Sequence, residues 1–110
     1  MSFEYKAPVY IVRYEYGDAS VERMPYQSAH RDFLDKLTEM GLLVAAGPVV
    51  GKDIGILMIR ADDIEMVEEI VDGDPYRQND VVRSIDIMPW LCRVGTAYKY
   101  INIIPKEDEL

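Results

Sequence analysis

Residues 8–16 alternate, placing Tyr10, Val12, Tyr14 and Tyr16 on one side and Val9, Ile11, Arg13 and Glu15 on the other. A period of two predicts a β-strand. Gly17-Asp18-Ala19-Ser20 has the composition of a turn. The apolar period then lengthens, and residues 24–40 read as an amphipathic helix. At about 100° per residue, Tyr26, Phe33, Leu34, Leu37 and Gly41 fall within about 60° of His30. Arg31, Asp32, Asp35, Lys36 and Glu39 fall on the far side. Gly41 is placed to end the helix as its C′ residue. Residues 42–50 predict a second strand, with Gly47-Pro48 marking an edge or a bulge. Gly51-Lys52-Asp53 has hairpin-turn chemistry, and residues 54–59 form a short, almost wholly apolar strand of the kind covered on both faces.

Asp62 is the expected N-cap of a second helix, with Glu65 reaching back in a capping box. Ile64, Val67, Ile70 and Val71 supply its inner stripe and Gly73 its end. After Asp74-Pro75-Tyr76, residues 81–90 predict a fourth strand. Residues 97–104 alternate and predict a fifth, and the chain from Lys106 onward reads as a frayed end. The resulting order, β-α-β-β-α-β, is the split βαβ or ferredoxin-like arrangement of the α+β class with a short C-terminal addition. Two helices cover only one face of a four-stranded sheet, yet Val9 and Ile11 oppose Tyr10, Val12 and Tyr14, and Ile85 and Ile87 oppose Met88 and Trp90. An apolar second face calls for a cover, and a homodimer packed sheet against sheet is the simplest one.

Composition narrows the function classes. At 110 residues the chain predicts a single domain over 1–110. A net charge of −8 disfavours phosphate backbones and acidic lipid surfaces, so neither nucleic acid nor membrane is an expected partner. The single cysteine, Cys92, excludes an intramolecular disulfide framework and fits a reducing compartment. With one cysteine and one histidine, a Cys/His zinc centre within the chain is also excluded. The N-terminal stretch lacks the apolar segment of a signal peptide, and no run approaches the roughly 20 apolar residues of a membrane span. Glu107-Asp108-Glu109-Leu110 reads as a solvated acidic end, and a cytoplasmic location is expected.

His30, the one histidine, therefore carries most of the chemical interest. A titratable ring on an apolar stripe needs a partner, because an unpaired buried polar group costs about 1–3 kcal/mol. It is either a core histidine bonded to backbone or carboxylate, or a proton shuttle at the cleft between helix and sheet. Asp74 is the candidate partner, although Asp74-Pro75 is equally an ordinary helix start, aspartate as N-cap and proline at the first helical position. Gly47 and Pro48 either bend a strand or let a ligand approach the backbone. Tyr10 and Tyr14 share a strand face and either line a pocket or fill the core. Trp90 reads as an interface anchor, Arg13 and Arg83 as partners for a carboxylate in a substrate or in the chain, and Cys92 has no sequence neighbour that would make it a nucleophile.

Several short motifs occur in a telling order: Ala29-His30-Arg31-Asp32-Phe33-Leu34-Asp35-Lys36-Leu37, Gly41-Leu42-Leu43 running into Ala46-Gly47-Pro48, Gly73-Asp74-Pro75-Tyr76, and Ile87-Met88-Pro89-Trp90. Together they resemble the YCII-related (YciI-like) family across a core of about 8–91, leaving 92–110 as an extension. The resemblance implies a ferredoxin-like fold assembled as a dimeric α/β barrel, with a histidine–aspartate site that carries over onto His30 and Asp74. A related dehydrochlorinase and the muconolactone isomerases of the same superfamily imply cofactor-free proton transfer on small cyclic acids or phenols. The chain departs from the pattern where the family usually has a glycine before the last strand. Here the run is Arg77-Gln78-Asn79-Asp80.

The expected function is thus a small cofactor-independent enzyme, lyase- or isomerase-like, acting on a small-molecule substrate. His30 would be the general base, Asp74 its orienting partner, and Tyr10, Tyr14, Gly47 and Pro48 the substrate-binding surroundings. The alternative is a non-catalytic ligand-binding or accessory protein in which His30 is structural. A third reading makes it an oxidoreductase-like barrel with His30 as a haem ligand.

Overall fold

The computed structural model describes residues 3–5, 9–17, 23–101 and 103–105, with side chains over 9–17 and 23–101. Four strands, β2 (Val9–Tyr16), β3 (Leu43–Pro48), β4 (Ile54–Ile59) and β5 (Val82–Trp90), form an antiparallel sheet in the order β3-β4-β2-β5. The two main helices are α1 (Gln27–Glu39), entered through a 3₁₀ turn at Met24–Tyr26, and α2 (Ile64–Asp72). A short helix, α3 (Pro75–Gln78), follows α2 directly. This is the ferredoxin-like α+β arrangement expected from the order of elements. The strand pairs are in the register that alternation dictates. Tyr10, Val12 and Tyr14 lie opposite Ile59, Leu57 and Gly55 on one side and Pro89, Ile87 and Ile85 on the other. Those rows face the helices, and Tyr10, Val12, Tyr14, Leu57 and Ile59 close on Val67, Val71 and Tyr76 as the main core.

Helix ends follow local chemistry. Gly41, at φ 75°, closes α1 with two reversed hydrogen bonds, Gly41 N–H to Thr38 O (3.0 Å) and Leu42 N–H to Leu37 O (2.9 Å). That is the Schellman geometry, which needs a left-handed residue at C′. The start of α2 differs from the expected capping box. Asp63, not Asp62, is the N-cap, and its carboxylate accepts from Met66 N–H at 2.8 Å. Either adjacent aspartate can cap; the frame starting at Asp63 buries Val67 and Val71 and leaves Ile64 44% exposed. Ile64 is accordingly outside the inner stripe.

The expected fifth strand over 97–104 is also corrected. Residues Tyr98–Ile101 make a single helical turn, α4, and only Ile103–Pro105 are extended, as β6 paired antiparallel with β1 (Phe3–Tyr5). The Arg60 guanidinium donates to Ile101 O at 2.5 Å and to Tyr100 O, satisfying carbonyls that a helix end leaves open. Ile101 packs with Val9 and Cys92, beside Val44 and Met58. The chain's own α4 thereby covers one end of the sheet face opposite the helices. Most of the predicted turn at 17–20 and the predicted frayed end from Lys106 lie outside the described residues.

Asp80 takes φ 57°, the left-handed region in which L-residues other than asparagine and aspartate pay about 1–2 kcal/mol. We therefore expect Asp80→Ala to lower the free energy of unfolding by about 1 kcal/mol in urea titrations, with no change in fold.

Candidate active site

Asp74 brings three elements together. Its side chain is fully buried and accepts three hydrogen bonds: Tyr14 O–H to Oδ2 (2.8 Å), His30 Nδ1–H to Oδ1 (2.8 Å) and Tyr76 N–H to Oδ1 (2.9 Å). Both sequence readings of Asp74 hold at once, because Oδ1 caps α3 and binds the imidazole. The cap fixes the carboxylate in place. Asp74 N–H donates to Val71 O (2.9 Å), tying its backbone to the end of α2, and Pro75 begins α3 with φ already set.

The tautomer of His30 follows from this network. Oδ1 already accepts from Tyr76 N–H and offers Nδ1 only an acceptor, so Nδ1 carries a proton, and in the neutral ring the lone pair is then on Nε2. The side chain of His30 is 14% exposed, so it is largely enclosed. Tyr76 stacks on it with centroids 3.8 Å apart and planes 7° from parallel. The ring is therefore fixed by a hydrogen bond at Nδ1 and by a flat neighbour on one face.

The aromatic contacts continue away from the imidazole. Tyr16 meets Tyr76 edge-on at 5.8 Å and Tyr14 at 6.2 Å. Tyr16 has room because residue 55 is glycine: a Cβ there would overlap the Tyr16 hydroxyl. Arg23 lies over the outer side of Tyr16, 4.3 Å from the ring centroid, and makes a looser contact of 3.6 Å with Asp53. Burial pushes the Tyr14 phenol far above the ordinary tyrosine range, and the Asp74 charge and hydrogen bond push it further. Burial, helped by Tyr76, pushes Tyr16 up to about 12, against the pull of Arg23. Tyr76 is raised by burial and by Asp74, with Arg23 and Arg31 opposing. All three are neutral at physiological pH.

The other sequence candidates are placed apart from this group. Tyr10 is a core residue between Ile59 and Pro89. Gly47 pairs with Ile56 on the face away from the helices, and Pro48 pairs with Gly55 on the edge strand β3. Both are exposed. The expected pocket floor at Gly47 is therefore not brought to His30. Arg13 and Arg83 line an open groove of about 370 Å³ with Glu15, Tyr16, Lys52 and Asp53; it does not include His30 or Asp74. Cys92 is buried beside Val9 and Ile101. Tyr76 is the site residue that periodicity did not find. Its place directly after the Asp-Pro cap was the available signal. No group of three or more His, Cys, Asp or Glu side chains among the described residues is arranged to hold a metal, and no helix among them is long and apolar enough to cross a membrane.

Similarity to known proteins agrees with this fold. A search of curated proteins gave no match. Among solved structures, the chain resembles 5-chloro-2-hydroxyhydroquinone dehydrochlorinase from Burkholderia phenoliruptrix AC1100, in complex with 2,5-dihydroxybenzoquinone. The TM-score is 0.67 at 17% identity, over 74% of this chain and 92% of that one. At that identity the likeness speaks for the fold. The sequence model of the YCII-related domain matches residues 8–91, a span that holds His30, Asp74 and all four strands of the main sheet, and the chain belongs to that family.

Proposed function

We propose that the protein is a small-molecule enzyme that moves a proton without a cofactor, with His30 as general base. The observation that carries this reading is the 2.8 Å His30–Asp74 contact made to a fully buried, triply held carboxylate. In the reaction, a C–H or O–H next to an electron-withdrawing group gives its proton to Nε2. The electron pair delocalises into that group. The imidazolium that forms is stabilised by Asp74, and the proton is then returned elsewhere, giving isomerisation, or a leaving group departs, giving elimination. Tyr14 holds the second oxygen of Asp74 and touches no substrate, so its role is positioning. The structural neighbour, a dehydrochlorinase seen with a dihydroxyquinone, supports hydroxylated ring compounds as the first substrates to try.

A purely structural His30 is the competing reading, and solvent exchange separates the two. Deuterium wash-in from D₂O into hydroxylated quinones and chlorinated hydroquinones, followed by NMR, is expected with the unmodified protein. It should fall by about 10²–10⁴-fold in His30→Ala. A folded His30→Ala protein that exchanges at the original rate rejects the assignment.

The tyrosines give a second check. Their folded pKa values are raised, so the folded state keeps protons that the unfolded chain releases near pH 10. The stability linked to them is complete below pH 10 and is lost as pH rises from 10 through about 12. Urea midpoints should be flat up to about pH 9.5 and fall above pH 10. The fall should be shallower in Tyr14→Phe, which has no phenol to ionise.

We further propose that the open sheet face is a homodimer interface. Ile11, Ile56 and Met58 are half-buried there, and Met88 and Trp90 are 41% and 42% exposed in the isolated chain. The rows Val9–Trp90 and Ile11–Met88 make a continuous apolar strip that α4 covers only at one end. Trp90 is the only tryptophan, so its fluorescence reports on this face alone. Met88→Glu is expected to shift the protein from dimer to monomer in light scattering and to move Trp90 emission to the red. A monomeric unmodified protein at micromolar concentration would reject the interface.

A further inference from the structure

Gly55 stands inside β4, where a residue without a side chain weakens a strand and marks a close approach by another group. It lies opposite Tyr14 in the register with β2, and the group that approaches it is Tyr16. A Cβ on residue 55 would overlap the Tyr16 hydroxyl and lie 3.1 Å from Cζ and 3.4 Å from Cε2 of the same ring. Tyr16 has two further contacts: Arg23 lies over its ring, 4.3 Å from the centroid, and Tyr76 meets it edge-on at 5.8 Å with planes 87° apart. Tyr76 in turn has its backbone held by the N–H bond to Asp74 Oδ1, so the rotation of its side chain is what remains to be set. Two rings set it, Tyr16 edge-on and the His30 imidazole lying flat against it at 3.8 Å.

We propose that Gly55 and Tyr16 are positioning residues for His30, acting through Tyr76. The space left at residue 55 admits Tyr16, Tyr16 holds the Tyr76 ring, and Tyr76 holds the plane of the imidazole. This rests on the reading of His30 as the reacting base, and it assigns the orientation of that base to residues on β2 and β4. The bond from Nδ1 to Asp74 does not fix that orientation alone. It pins one atom of the imidazole and allows the ring to rock about the line from that atom to Cβ, whereas a flat neighbour 7° from parallel stops the rocking. Orientation matters because the lone pair on Nε2 accepts a proton along one line in the ring plane, and a misplacement of about 1 Å can cost on the order of 10²-fold in rate. The stack also suits the charged ring, since an aromatic face attracts a cation lying over it. Tyr76 thus supports the imidazole in both of the states that proton transfer needs.

His30 is the only histidine, so its ring resonances in a ¹H–¹³C spectrum of the full chain are unambiguous. Ring protons over the face of Tyr76 should resonate upfield of those in an unfolded histidine. Gly55→Ala should move them back toward the unfolded position and slow deuterium exchange by about 10–10²-fold, with the far-ultraviolet circular dichroism unchanged. Adding Tyr16→Phe to Gly55→Ala removes the nearest atom of the overlap and leaves only the 3.1 and 3.4 Å approaches. The double variant should therefore regain the upfield position and most of the exchange rate. Strain confined to residue 55 would lower stability without moving the His30 resonances. Should Gly55→Ala not fold, Tyr16→Leu, which withdraws the edge-on ring and adds no atom, is expected to produce the same losses. His30 resonances that stay in place in folded Gly55→Ala or Tyr16→Leu, or that do not recover in the double variant, overturn the proposal. So does an unchanged exchange rate where the upfield position is lost, and that result leaves the base standing. Exchange that persists in His30→Ala rejects the base instead, and the ring resonances then decide the positioning alone.

Discussion

A carboxylate with no access to water is the constraint on which the other features of this structure turn. Removing such a charge from solvent costs several kcal/mol even after relaxation, and it survives only where donors replace the lost water. Asp74 has three, from β2, α1 and the start of α3, and its partners Tyr14 and His30 lie 60 and 44 residues away in sequence. The same atoms therefore hold the fold together and orient the imidazole. Truncating Asp74 would strand three buried donors at about 1–3 kcal/mol each, so its variants must be read for stability before activity. His30 sits at the edge of this network, and its loss leaves Tyr14 and Tyr76 still bonded to the carboxylate.

Periodicity made much of this legible. Tyr14 falls on the helix-facing row of β2 because the strand alternates from Val9 onward, and His30 falls on the inner side of α1 because of its angular distance from Leu34 and Leu37. The cap at Asp74 was legible from Asp-Pro alone. What sequence could not supply was the meeting of these positions, since that depends on where α2 ends relative to β2. The one-residue error at Asp62 has a related cause: adjacent aspartates cap equally well locally, and the burial of Val67 and Val71 decides between them. At 97–104, alternation alone suggested a strand. A tertiary contact from Arg60 to the carbonyls of Tyr100 and Ile101 favours a helical turn instead.

Alternation in β2 also divides the sheet's labour. Tyr14 is directed to Asp74, whereas its neighbours Arg13 and Glu15 are directed to the opposite face and its groove. A shift of one residue in register would exchange the two sets, placing charges in the core and phenols outside, so the pairing is strongly fixed. The fixed pairing explains why Arg13 and Arg83, reasonable carboxylate binders by residue type, do not belong to the His30 site. It also explains why the open face combines an apolar strip with a charged end. In strand terms, those are the positions left over once the helix-facing rows are assigned.

The state of the phenols completes the argument. Tyr14, Tyr16 and Tyr76 keep their protons, so the charge that meets the imidazole from this cluster is that of Asp74. An imidazolium formed at His30 would face that carboxylate across 2.8 Å, through the same Oδ1 that caps α3. Tyr14 holds the other oxygen, so the carboxylate is kept from turning away as the charge on the ring changes. The proposed base is thus placed by a polar group buried in the core, and any shift of α3 against β2 would disturb the fold and the imidazole together.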